Sequence, residues 1–290
     1  MNNNIASYNK VIIIGAPRSG TNMLRDILCS IEGVSTWPCD EINYIWRHGN
    51  IRHQSDEFTP EMANSRIAHY IQKQFDWVAQ RHSCHTVVEK TCASSLRVPF
   101  IERIIPDAKY IFIRRNGLDV VDSAAKRWTA TLDLGYIAAK ARFVPLTDLP
   151  YYGSRYIYNR LHKLFTGQKR LAFWGPQLDN MNELLQSHTL EETCALQWEA
   201  CVNSAASALS EIPSSRWTEV AYEEFVSEPF KKTQQLLDFL KVESDRNEIQ
   251  QAVKGVRHDS VGKGRSNLDQ ETVKSITDQV GTTLTKYGYI

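Results

Sequence analysis

Three short stretches of the sequence carry side chains suited to chemistry on an anion. The first, Gly15-Ala-Pro-Arg-Ser-Gly-Thr-Asn22, joins an aliphatic run to a helical pattern. Such a turn aims backbone N–H groups and the positive end of a helix at an anion. Its spacing begins like the triphosphate loop G-x-x-x-x-G-K-[ST]. However, Thr21 stands where the lysine would be, and Asn22 where the Mg²⁺-binding hydroxyl would be. Without those two groups a Mg-bound triphosphate loses its neutralising partners. Arg18 supplies a cation earlier in the turn, which suits a single 5′-phosphate carrying another anionic group. The second stretch is Val88-Glu-Lys-Thr91, with Lys90 at a strand end. The third, Arg115-Asn-Gly-Leu-Asp-Val-Val-Asp-Ser123, sets a planar guanidinium and a hydroxyl at the start of a helix, where a phosphate dianion is favoured. His82, Cys84 and His85 sit close together, but no second cluster completes a metal set, so no metal is expected.

These stretches need elements to position them. Val11 to Ile14 and Tyr110 to Ile113 are apolar on both faces, as buried strands are. Val87-Val88 forms a shorter strand and Trp217 to Ala221 a fourth. Helical spacing of apolar residues runs over Thr21–Glu32, Pro60–Arg81, Leu96–Ile105, Gly117–Trp128, Pro229–Leu240 and Gln270–Lys286. Asn116 is placed to cap the helix that begins at Gly117. Residues from about 132 to 212 read as mostly helical. Strands alternating with helices predict an α/β fold with a central parallel sheet flanked by helices. Ligands of such sheets bind at the carboxyl ends of the strands, where all three stretches fall. The whole chain, 1–290, is expected to be one domain with the 132–212 region as a helical, acceptor-side insertion.

Composition narrows the function classes. The 290 residues hold 34 Lys and Arg against 33 Asp and Glu, a formal +1. That excludes the basic surplus of a general nucleic-acid binder, so no nucleic-acid partner is expected. With 42% hydrophobic and 23% charged residues the chain is not wholly disordered. The polar first ten residues lack a signal-peptide pattern, and no apolar run there approaches the roughly 20 residues that span a bilayer. The six cysteines are scattered with no C-x-x-C spacing. A cytoplasmic protein with reduced thiols and no transmembrane segment is therefore expected.

The loop containing Pro17-Arg-Ser-Gly-Thr21 after a strand resembles the 5′-phosphosulfate loop of sulfotransferases that use 3′-phosphoadenosine-5′-phosphosulfate (PAPS). Arg115 and Ser123 match the family's R-x7-S motif for the 3′-phosphate. The resemblance is strongest to the bacterial and tyrosylprotein-type branch and covers roughly residues 10 to 130 and 215 to 288. It implies a P-loop nucleotide-binding fold, PAPS as co-substrate, and 3′-phosphoadenosine-5′-phosphate (PAP) as product. Val88-Glu-Lys-Thr91 looks like the segment that supplies a catalytic lysine, here Lys90. Val220-Ala-Tyr-Glu-Glu-Phe225 is similar to a V-x-Y-E-D-L stretch and makes Tyr222 an adenine neighbour. Val261-Gly-Lys-Gly-Arg-Ser266 resembles the late basic loop that closes over the nucleotide, through Lys263, Gly264 and Arg265. The nucleotide contacts implied in the first loop are Pro17, Arg18, Ser19, Gly20, Thr21 and Asn22.

Sulfuryl transfer removes a proton from the acceptor hydroxyl and stabilises a leaving phosphate. Fixed cations serve the second task, with Arg18 and Lys90 in that role; losing one such preorganised group typically costs about 100- to 1000-fold in rate. Many small-molecule sulfotransferases place a His shortly after this lysine, and Lys90-Thr-Cys-Ala-Ser-Ser95 has none. The branch with an Arg-type loop, which this chain resembles better, implies instead a carboxylate shortly after the first helix as the base. Glu41 is the first choice and Asp40 the second, with His48 and His53 as alternatives. Lys263 or Arg265 is expected to clamp the 3′-phosphate. Tyr151, Tyr152, Arg155, Tyr156, Tyr158, Arg160 and Trp174 are of types that stack on a sugar or bind an acidic acceptor, but aromatics at helical spacing belong first to the core, so they are not counted among the site residues. The expected partner is a small-molecule or glycan acceptor, with a carbohydrate or glycolipid hydroxyl. The alternatives are a P-loop kinase-type phosphotransferase and a non-catalytic nucleotide-binding protein.

Overall fold

A computed structural model of the chain describes residues 7–129, 142–165 and 174–290. The parts of the expected insertion at 132–141 and 166–173 lie outside the described residues. The elements in chain order are β1 (Asn9–Ile14), α1 (Thr21–Cys29), β2 (Val34–Ser35), α2 (Asn43–Trp46), α3 (Ser65–His82), β3 (Thr86–Lys90), α4 (Val98–Ile104), β4 (Lys109–Arg114) and α5 (Gly117–Thr129). Then come α6 (Leu149–Phe165), α7 (Met181–Ser187), α8 (Leu190–Ser210), β5 (Trp217–Ala221), α9 (Tyr222–Ser227), α10 (Pro229–Leu240), α11 (Arg246–Val253), α12 (Lys263–Asn267) and α13 (Gln270–Lys286).

The strands form one parallel sheet in the order β2-β3-β1-β4-β5. Alternation along β1 divides its side chains between two cores. Ile12 and Ile14 face a layer that includes Phe75, Phe112 and Trp198; Val11 and Ile13 face a layer that includes Leu24, Leu28 and Leu237. Burial on both faces is why these strands read as unbroken apolar runs. The chain leaves β1 toward β2 and β3 on one side and reaches β4 on the other, so the crevice at the carboxyl end of β1 is the switch point where such sheets bind ligands. The register pairs Ile13 with Lys90 and Arg114 with Ala221, so Gly15, Lys90, Arg115 and Tyr222 line one edge.

Several element boundaries differ from the sequence expectation. The helix expected over Pro60–Arg81 is a 3₁₀ turn at Pro60–Met62 followed by α3. Asn64 restarts the helix by accepting a hydrogen bond from the Ile67 N–H at 3.0 Å. The helix expected over Leu96–Ile105 begins only at Val98, after a 3₁₀ turn at Cys92–Leu96. The first helix stops at Cys29, ahead of Gly33 with φ of 74°. The two-residue strand β2 carried no sequence signal. No helix among the described residues is long and apolar enough to cross a membrane, and no disulfide joins any of the cysteines there.

Candidate active site

The turn from β1 to α1 is built for close approach. Gly15 donates its N–H to the Ser95 hydroxyl at 3.2 Å, which ties the turn to the segment after β3. Arg18 adopts φ of 69° and Gly20 φ of 92°, a region only glycine enters without strain. A Cβ at Gly20 would lie 2.5 Å from the Tyr222 ring, so glycine is demanded twice. Gly20 precedes α1 and no side chain caps that helix. Its first N–H groups are thus left for an anion. Pro17, Arg18, Gly20, Thr21 and Asn22 line a cavity of about 650 Å³. Ser19 is outside the lining; it is fully buried, and its hydroxyl lacks a hydrogen-bond partner among the described residues.

The third sequence stretch meets this turn directly. Arg115 donates to the carbonyl of Arg18 at 3.1 Å and to the carbonyl of Ser260 at 2.6 Å. Its guanidinium lies 4.2 Å from the centre of the Tyr222 ring and 3.7 Å from Asp119. Arg18 in turn donates from Nε to the Ser123 hydroxyl at 2.8 Å. The Arg18 pKa is lowered, first by burial and next by the guanidinium of Arg127. Asn116 caps α5 as expected, accepting from the Leu118 N–H at 3.0 Å.

The late loop is stapled over α5. Asp119 accepts from the N–H groups of Gly262 at 2.8 Å and Gly264 at 2.6 Å. A Cβ at Gly264 would collide with the Leu118 backbone, so this glycine is consumed by packing against α5. Lys263 lines the cavity and lies 3.5 Å from Asp259, whereas Arg265 is exposed and outside the lining. Tyr222 shares a hydrogen bond of 2.5 Å with Ser260, which closes the wall.

An acidic cluster faces these cations across the cavity. Lys90 Nζ lies 3.1 Å from both Asp40 Oδ1 and Glu41 Oε1. Burial works against the charged ammonium, but Glu41 and Asp40 more than offset it and carry the Lys90 pKa above its ordinary value. Glu41 Oε1 also accepts from the Cys92 N–H at 3.3 Å. Asp40 Oδ1 is held a second time by Arg25 Nη1 at 2.9 Å. Ile42 precedes α2, and no side chain caps that helix. Behind the cluster, the Thr91 hydroxyl donates to Glu89 at 2.5 Å and accepts from the Ile42 N–H at 3.2 Å. Glu89 is fully buried, and that burial pushes its pKa up to about 7 despite nearby Arg97 and Lys90.

Asp40, Glu41 and Lys90 line the cavity, whereas His48 and His53 are absent from its lining. His48 is engaged with Asp148 at 2.8 Å and packs on the Tyr70 ring, and His53 pairs with Ser55. Three cations, two in the cavity wall and one behind it, escaped the sequence reading. Lys126 and Arg127 stand one turn beyond Ser123 on α5, a spacing of three and four that would have exposed them. Arg25, which orients Asp40, gave no signal because the contact is tertiary. Of the aromatic stretch, Trp174 lines the cavity with Gly175 and Pro176. Tyr151, Arg155 and Tyr158 line a second one of about 570 Å³. The side chains of Tyr156 and Arg160 lie outside the described residues.

Comparison with known proteins follows the same lines. Residues 10–162 and 159–246 match the model of the Sulfotransferase family. Among solved structures, the sulfotransferase domain from the curacin biosynthetic pathway superposes with a TM-score of 0.54 at 15% identity, covering 94% of this chain and 98% of that one. The sulfotransferase domain of the Synechococcus PCC 7002 olefin synthase gives 0.54 at 15% identity, covering 95% of each chain. A sulfotransferase from Alicyclobacillus acidocaldarius gives 0.53 at 16% identity, covering 96% and 94%. These likenesses show a shared fold. No curated protein sequence matches significantly.

Proposed function

The chain belongs to the sulfotransferase family, and we propose that it moves a sulfuryl group from PAPS to an acceptor hydroxyl with Glu41 as the base. One observation carries this reading: Arg115 touches the turn that holds Arg18, at 3.1 Å. The 3′-phosphate and 5′-phosphosulfate cradles are therefore close enough for one nucleotide to fill both. The uncapped start of α1 receives the 5′-phosphosulfate and Arg115 with Ser123 the 3′-phosphate, while Tyr222 and Lys263 complete the wall. On this reading the chain is one sulfotransferase-like unit, and its reduced cysteines suit the cytoplasm.

The acceptor oxygen attacks sulfur, the bond between sulfur and the 5′-phosphate oxygen breaks, and the hydroxyl proton passes to Glu41. The products are the sulfate ester and PAP. An ammonium beside a carboxylate favours its ionised form, the form a base must take. Lys90 and Arg18 then stabilise charge gathering on the leaving phosphate. Asp40 is the weaker base because Arg25 and Lys90 both hold it. The body of a carbohydrate or glycolipid acceptor fits the second cavity, where Tyr151 and Tyr158 offer ring faces and Gln54 and Asn182 offer amides, while its reacting hydroxyl reaches Glu41 in the first.

The direct test is thermal unfolding with nucleotide. PAP without Mg²⁺ is expected to raise the melting temperature, with a stabilisation of about 2.7 kcal/mol at 100 times Kd. Mg·ATP is expected to leave it unchanged. A rise with Mg·ATP alone sinks the reading.

A further inference from the structure

Helix α6 exposes an aliphatic strip. Leu149, Gly153, Ile157 and Leu161 stand four residues apart on one face. Leu149 is 38% exposed, Ile157 57% and Leu161 43%, next to Tyr158 at 55%. Just before the helix, Leu146 is 84% exposed. A Cβ at Gly153 would meet nothing within 4 Å, so the strip is open along its length. The described residues contain few other large apolar side chains this exposed, and those are scattered. Single exposed apolar residues are ordinary, but a contiguous row marks an interaction surface.

Charge says what that surface meets. Along α6, Leu149–Phe165, the sequence has three Lys or Arg (Arg155, Arg160 and Lys163) and no Asp or Glu. That helix carries +3 in a chain of net +1, which leaves −2 for the remainder. A helix that is apolar on its open face and basic by composition lies in the plane of an anionic membrane surface. A second copy of this chain is a poor occupant, because a two-fold contact would set the basic run against itself. A nucleic acid would meet the charge and leave the aliphatic strip in water.

We propose that α6 docks this protein on an anionic lipid surface, with Leu149, Ile157 and Leu161 entering the interface. The placement also bears on the acceptor. Tyr158 stands beside the strip and lines the second cavity, and Gln177 of that cavity is bonded to Pro176 of the first. Docking therefore turns the acceptor side toward the lipid, which suits a membrane-resident acceptor carrying a free hydroxyl. That last step rests on the sulfotransferase reading; the docking itself does not.

The test is cosedimentation of the full chain with vesicles of phosphatidylcholine alone or with 30% phosphatidylglycerol. Partitioning is expected to be at least about tenfold stronger on the anionic vesicles and to weaken with added salt. The double variant Ile157→Glu, Leu161→Glu is expected to lose about tenfold of that partitioning while keeping the PAP-induced melting shift, which also reports that it folds. Equal partitioning of wild type and double variant overturns the proposal, as does absence of binding to the anionic vesicles. A concentration-dependent dimer that the double variant abolishes would assign the strip to a second copy and overturn it too. Because PAP and vesicles are read separately, loss of one leaves the other standing.

Discussion

Glu89 gives the most quantitative prediction. Its carboxyl is fully buried, and burial lifts its pKa from the ordinary 4.5 to about 7. The sign follows from linkage. A folded pKa above the unfolded one means the folded protein holds the proton more tightly. The stability from that proton is present in full below about pH 4.5 and is lost as pH rises through about 7. At about 1.36 kcal/mol per pH unit between those two values, the full loss is about 3 kcal/mol, of which about 2 to 3 falls between pH 5 and pH 8. Glu89→Gln removes the titration and keeps an oxygen for the Thr91 hydroxyl. It also buries an uncharged amide beside the Trp46 indole in place of the carboxyl, at a pH-independent cost of about 1–3 kcal/mol. The absolute stability of the variant is therefore uninformative, and the change with pH is the measurement. In urea unfolding at pH 5 and pH 8, the variant is expected to gain about 2 to 3 kcal/mol on wild type between the two. A difference that is the same at both pH values refutes the reasoning.

Other substitutions test the cavity itself. Arg115→Ala is expected to weaken PAP binding by roughly 10- to 100-fold in calorimetry, from the loss of charged hydrogen bonds worth about 1.5–3 kcal/mol; unchanged affinity would place the 3′-phosphate elsewhere. Gly20→Ala drives a Cβ into the Tyr222 ring and is expected to abolish the PAP-induced melting shift without unfolding the sheet, as far-ultraviolet circular dichroism would report. Glu41→Gln and Lys90→Met should each lower turnover over a broad acceptor panel by about 100-fold or more with PAP affinity nearly intact. Their double variant should fall little below the worse single one, since the two side chains act as a pair; strictly additive losses would show that they act apart.

The sequence was most informative where a local rule and the tertiary structure agree. The turn after β1 was readable because a β-branched run, glycines and an arginine each have one natural use there. Helix α10 starts at a proline and α13 follows a capping aspartate, and both ends were placed as found. The break at Asn64 was hidden because the apolar spacing continues across it. Choosing between Lys263 and Arg265 needed the short helix α12, which turns residues two apart to opposite sides. Only the tertiary structure shows Glu89, within β3, to be a fully buried acid beside Arg97 and Lys90. Arg25 reaches Asp40 through a loop whose path no periodicity encodes.

On the proposed reading, the pairing pattern lets one cavity serve both a nucleotide and an acid–base step. Arg115 is balanced by Asp119, Lys263 by Asp259, and Lys90 by Asp40 and Glu41. Among the described residues, Arg18 and Arg127 make no ion pair, and their mutual repulsion lowers the Arg18 pKa after burial has done so. An anion placed between them removes that repulsion, so the nucleotide gains most where the protein alone is least compensated. The Lys90–Glu41 pair works in the opposite direction. It is satisfied before reaction, and it loosens only when Glu41 takes the acceptor proton and becomes neutral. At that moment the Lys90 ammonium keeps only Asp40, itself shared with Arg25, as counter-charge, while negative charge gathers on the leaving phosphate. On the proposed reading, proton removal and leaving-group stabilisation are thus coupled through one 3.1 Å contact, and neither requires the backbone to move.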